Sequence, residues 1–115
     1  MSPSLLALTV EDNAEQTELL RRMLEREGYE VFSAPDAETA IAAFPDIQPS
    51  LAIVDLRLPG VTGSECIDIL RSRFPSCRII VSSVLDEDEY PRADASLPKP
   101  FTGAMLHDLL AELTQ

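Results

Sequence analysis

The chain has 115 residues, 45% hydrophobic and 25% charged, enough for one globular domain with a core that needs no disulfide or metal staple. Its formal net charge is −11, from 20 acids against 9 lysines and arginines, which disfavours direct nucleic-acid binding and favours divalent cations or basic protein surfaces. No apolar run reaches membrane-span length, and Met1-Ser2-Pro3-Ser4 has no signal-peptide character, so no membrane partner and a cytoplasmic location are expected.

The apolar run Leu5–Val10 reads as a first strand. A helix follows over about 14–27, with Leu19, Leu20, Met23 and Leu24 at three- and four-residue steps and Gly28 as its stop. Asn13 is expected as a helix cap. A second strand is expected near 30–33. Asp36 can cap the next helix, whose buried face is Ala37, Ala40, Ile41 and Phe44. Pro45 and Pro49 bracket the loop into a third strand, Leu51–Val54. Thr62-Gly63-Ser64-Glu65 has the form of a capping box opening a helix with Ile67, Leu70 and Phe74 on its apolar stripe, ended by Pro75. The fourth strand is built on Ile79, Ile80 and Val81. The last helix, about 103–113, has Met105, Leu106, Leu109, Leu110 and Leu113 on one side. Alternation of short apolar runs with amphipathic helices implies a parallel α/β sheet in one domain, with its core at about 5–113. Cys66 and Cys77 lack CxxC spacing and fit free thiols in or near that core. The only histidine, His107, is expected at the surface.

Chemistry gathers at strand ends. Glu11 and Asp12 end the first strand, Asp55 the third and Ser83 the fourth. Lys99, the only lysine, follows a short stretch near Leu97. In an open parallel sheet these positions share one mouth. An ionised carboxylate at the end of a buried strand is costly unless a cation or metal compensates it. Clustered carboxylates suit a hard divalent ion with oxygen ligands. No histidine is placed to act as base and there is no glycine-rich phosphate loop, which argues against a hydrolase.

The ordered set Val10-Glu11-Asp12-Asn13, Ile53-Val54-Asp55 with Pro59 and Gly63, Ser83-Val84 and Lys99-Pro100-Phe101 resembles the receiver domain of two-component response regulators. The resemblance implies a flavodoxin-like, doubly wound, five-stranded parallel sheet in the order 2-1-3-4-5. It implies that Asp55 accepts a phosphoryl group from the phosphohistidine of a histidine kinase or a histidine phosphotransfer protein. Asp12 would bind Mg²⁺ directly and Glu11 directly or through water, with Asp55 and the Arg57 carbonyl completing the protein ligands. Ser83 and the backbone N–H of Val84 would hold the phosphoryl oxygens, and Lys99 would pair with the group. The domain would then be a signalling switch and not a metabolic enzyme. The Lys99-Pro100 bond is a candidate cis peptide.

Two departures from the family pattern stand out. The segment between Val84 and Leu97 is short by about six residues, more than one helical turn at ~3.6 residues each, so the family's fourth helix is expected to be shortened or absent. Ser96 stands where the family commonly has Tyr or Phe, so the usual coupling of a switch hydroxyl to a swinging ring cannot run through it. Tyr90 is a possible substitute. Arg57 and Leu85, by the same resemblance, lie near the path of the attacking water and could tune the lifetime of a phosphorylated state. The alternatives are a phosphorylation-independent interaction module on the same fold, and a phosphorelay shuttle.

Overall fold

A computed structural model describes residues 5–57, 62–82 and 94–113. Five strands form one parallel sheet: β1 (Leu5–Val10), β2 (Tyr29–Ala34), β3 (Leu51–Val54), β4 (Arg78–Val81) and β5 (Ala95–Ser96), in the spatial order β2-β1-β3-β4-β5. Between them run α1 (Ala14–Arg26), α2 (Ala37–Ala43), a 3₁₀ turn at Phe44–Asp46 and α3 (Gly63–Arg73), and α4 (Gly103–Leu113) closes the chain. The expected strand order is thus the observed one. The expectation about a shortened helix between β4 and β5 concerns residues 83–93, which lie outside the described residues.

The helix starts follow from their first residues. Asn13 caps α1 by accepting the Gln16 N–H at 2.8 Å, and Asp36 caps α2 by accepting that of Thr39 at 2.7 Å. Thr62 accepts the Glu65 N–H at 3.2 Å, the threonine half of the expected capping box. Each satisfies one backbone donor that a helix start leaves unpaired. Gly28, with φ of +93°, turns the chain out of α1 in a conformation that L side chains avoid.

The pleat of each strand distributes side chains to two cores. Leu8, Val10, Ala52, Val54, Ile79 and Val81 face α2 and α3, where Ala37, Ala40, Cys66, Ile67 and Leu70 meet them. Ala7, Leu51, Ile53 and Ile80 face α1 and α4, where Leu20, Leu24, Leu106 and Leu110 meet them. The alternation along β3 (Leu51, Ala52, Ile53, Val54) is the period-2 rule with both faces covered. Leu19 and Met105, counted on apolar stripes from sequence, are 42% and 43% exposed. The stripes needed on α1 and α4 are narrower than their apolar sequence, because one sheet face is shared by two helices. Phe44 is buried, but from the 3₁₀ turn that Pro45 opens and not from α2. Cys66 and Cys77 are buried and free, as expected.

Register sets the level of the mouth. Val10 pairs Val54, Val54 pairs Val81 and Val81 pairs Ser96. The first residue past each strand then donates to the last carbonyl of its neighbour: Glu11 N–H to Ala34, Asp55 to Val10 and Ser82 to Val54, each at 3.0 Å, and Leu97 to Val81 at 2.7 Å. The acids at the ends of β1 and β3 therefore emerge level, at the point where strand order reverses.

Candidate active site

Three carboxylates converge there. Glu11, Asp12 and Asp55 each present an oxygen within 4.8 Å of the others. Glu11 and Asp55 are buried and Asp12 is exposed. Lys99 lies between the buried two, its Nζ donating to Glu11 Oε1 and, at 3.0 Å, to Asp55 Oδ2. The other Asp55 oxygen, Oδ1, accepts the Arg57 N–H at 2.9 Å, so the Asp55 carboxylate is held at both ends. The Asn13 N–H reaches Glu11 Oε2 at 3.4 Å. The Lys99-Pro100 peptide is cis, as expected from sequence.

Electrostatics follow from this crowding. Burial pushes the Glu11 carboxyl above its ordinary range; the Lys99 contact opposes that and the neighbouring Asp55 reinforces it. Burial pulls Lys99 down, but its contacts with Glu11 and Asp55 outweigh this and its pKa is raised, so it is a fixed cation at neutral pH. With all three acids ionised, three negative charges against one positive leave a local balance of −2. Oxygen donors carrying that balance fit Mg²⁺, a hard ion that binds through few carboxylates and keeps water. The exposed Asp12 and the buried Glu11 border a groove of about 240 Å³, also lined by Thr17, Ser33 and Pro35.

Of the residues singled out in the sequence, Glu11, Asp12, Asp55, Arg57 and Lys99 are brought together. Ser83 and Val84 lie outside the described residues, as do Leu85 and Tyr90. Ser82, the last described residue of that segment, is buried, and among the described residues its Oγ has no hydrogen-bond partner. Ser96 is half-buried on β5. His107 is exposed, as expected, and its Nδ1 lies 2.8 Å from Glu27 Oε1. Local sequence pattern carries no sign of that pair, 80 positions apart.

A family model described as the response regulator receiver domain matches residues 7–111. The chain belongs to this family. Receiver-like relatives include YrkP of Bacillus subtilis (strain 168), described as an uncharacterized transcriptional regulatory protein. It is 36% identical over 105 residues, covering 87% of this chain and 45% of that protein. The sensory/regulatory protein RpfC of Xanthomonas campestris pv. campestris is 30% identical, covering 96% of this chain and 16% of that protein. The chain thus spans less than half the length of these two relatives. Among solved structures, the Thermotoga maritima response regulator TrrA, in complex with Mg²⁺-BeF, superposes with a TM-score of 0.84 at 27% identity, covering 95% of this chain and 98% of that one. This chain is therefore a receiver domain with an acidic cluster where receivers are phosphorylated.

Proposed function

We propose that this receiver domain is a Mg²⁺-dependent phosphoacceptor switch, in which Asp55 takes a phosphoryl group from the phosphohistidine of a histidine kinase or a histidine phosphotransfer protein. The observation that carries the proposal is the placing of Lys99 Nζ 3.0 Å from Asp55 Oδ2 inside a cluster of three carboxylates. An Asp55 oxygen forms a bond to phosphorus while the P–N bond breaks, its electron pair leaving with the imidazole nitrogen. Phosphoryl transfer needs positioning and neutralisation of charge on the equatorial oxygens more than acid–base chemistry. The Arg57 N–H fixes the orientation of the Asp55 carboxylate before reaction. Lys99 is a point charge that can turn from the Asp55 oxygen to a phosphoryl oxygen without leaving the site. Ser83 and the Val84 N–H are assigned to further phosphoryl oxygens. Glu11, Asp12, Asp55 and the Arg57 carbonyl would hold Mg²⁺, which supplies positive charge against the incoming group. On this reading the domain turns over its own phosphoryl group as a signal, is no metabolic enzyme, and works in the cytoplasm beside its kinase.

Incubation with acetyl phosphate and Mg²⁺ is the test. The expected result is a mass gain of one phosphoryl group in the parent and none in Asp55→Asn. No gain in the parent, or an equal gain in Asp55→Asn, overturns the reading.

Readout is the part that departs from the family. Ser96 has no ring to swing, and it is one of only two residues in β5. That favours, as second readings, an interaction module indifferent to phosphorylation, or a phosphorelay shuttle that passes the group onward. Unchanged partner binding in Asp55→Asn would favour the module. Transfer of labelled phosphate from Asp55 to a histidine phosphotransfer protein would favour the shuttle.

A further inference from the structure

Lys99 carries the only lysine charge of the chain into the site, yet it hangs from the least supported strand. β5 has two residues and, among the described residues, pairs only with β4, in two register pairs, Ile80 with Ala95 and Val81 with Ser96. Strands this short are not stable by pairing alone. The ladder nevertheless has a start. Asp94 donates its backbone N–H to the Ile79 carbonyl at 3.0 Å, and its side-chain Oδ2 accepts the Ile79 N–H at 2.7 Å.

In a continuous parallel ladder the Ile79 N–H would meet a main-chain carbonyl from a residue preceding Asp94. Among the described residues its acceptor is the Asp94 carboxylate. Ile79 is fully buried, so its N–H must find a partner on folding. A carboxylate acceptor makes a charge-assisted bond, stronger than a neutral amide–carbonyl one. Asp94 and Ile79 thus form a two-bond clasp at the start of β5. At the other end, Leu97 is buried and donates to Val81 at 2.7 Å. Two fixed points define the direction of a short strand, where one would leave it free to pivot. Lys99 follows two residues after the second point.

The geometry points to Asp94 as a positioning residue for Lys99: its backbone N–H and its carboxylate together fix the start of β5 on Ile79 and so aim the lysine at Asp55. This rests on the phosphoacceptor reading above. Asp94 lies in a stretch that is merely acidic and irregular in sequence, so local pattern gives it no distinction.

The experiment compares the rate of phosphorylation by acetyl phosphate and Mg²⁺ in Asp94→Ala, Asp94→Asn, Lys99→Ala and the Asp94→Ala/Lys99→Ala double variant, each checked for folding by circular dichroism. Asp94→Ala is expected to be roughly tenfold slower, since small displacements of a positioned group lower rates by that order or more. Asp94→Asn keeps an acceptor oxygen and is expected within about twofold of the parent, as a neutral bond retains most of the clasp. In the Lys99→Ala background the Asp94→Ala change is expected to have no further effect, because its route to the reaction is gone. A parent rate in Asp94→Ala, an Asn variant as slow as the Ala variant, or a full further loss on top of Lys99→Ala each overturns the assignment. If Asp94→Ala does not fold, Asp94→Val, which retains strand propensity without any acceptor oxygen, carries the same comparison. A parent that takes up no phosphoryl group refutes the phosphoacceptor reading instead, so the two failures are distinct.

Discussion

The centre of the sheet and its β5 edge hold the two halves of one site by different means. Glu11 and Asp55 leave β1 and β3, which have neighbours on both sides and are covered on both faces. Lys99 leaves an edge strand of two residues, tied by one side-chain carboxylate and one buried leucine. The acids thus sit where opening is expected last, and the cation that neutralises them where opening is expected first. A site built this way keeps its charge repulsion fixed and makes the compensation adjustable.

The strongest probe of the centre is Gly63→Ala. A Cβ there would lie 2.6 Å from the Leu56 Cα and closer still to the Asp55 carbonyl oxygen. Neither is a flexible side chain, so the start of α3 or the chain beyond Asp55 must move. We expect a loss of about 3 kcal/mol in urea unfolding, the upper range for overpacking, and a slower acetyl phosphate reaction. Parent stability would mean that α3 does not press on Asp55. Native-state hydrogen exchange reads the contrast itself. The Asp55 amide, bonded to Val10, should exchange only with global opening, and the Leu97 amide, bonded to Val81, at an opening free energy lower by about 2 kcal/mol or more. Equal values would erase the distinction between centre and edge. Mg²⁺ should raise thermal stability by about 1.4 kcal/mol at ten times its dissociation constant in the parent, and hardly at all in Asp12→Asn. An unchanged shift in that variant would move the ion away from the acid cluster.

The smallest effect lies away from both regions. Glu27 beside His107 holds the imidazole above its ordinary pKa, first through their hydrogen bond and then through charge. A histidine raised in the folded state contributes stability that is complete below its unfolded pKa, about 6.5, and is lost as pH rises through the folded value. An NMR titration should show the raised value in the parent and a return toward the ordinary one in Glu27→Gln. Because the histidine is exposed, little change in unfolding free energy is expected.

Much of the architecture was legible because its causes are local. Short apolar runs named the strands, and Asn13, Asp36 and Thr62 named the helix starts through their own side chains. The level of Glu11, Asp12 and Asp55 followed from their places at strand ends. What stayed hidden depends on distance in the chain. Periodicity cannot show that Lys99 reaches Glu11 across 88 positions, or that Glu27 waits for His107. Nor can it show that the Asp94 side chain takes the Ile79 N–H. Leu19 and Met105 share the apolar stripes of their helices yet are exposed for a related reason: an apolar residue records what a helix tolerates, and only the neighbouring elements decide which face is covered.

The two cysteines, so far only core filler, give the molecule a built-in clock. Both thiols are sealed in the same core, and burial pushes Cys66 up to about 11 and Cys77 up to about 12. Thiolate is the reactive form, so neither should react with an alkylating reagent while the chain is folded. Every labelled molecule is then one that has opened between the α2–α3 layer and the sheet. Counting zero, one or two labels by mass would time that opening without a single introduced probe.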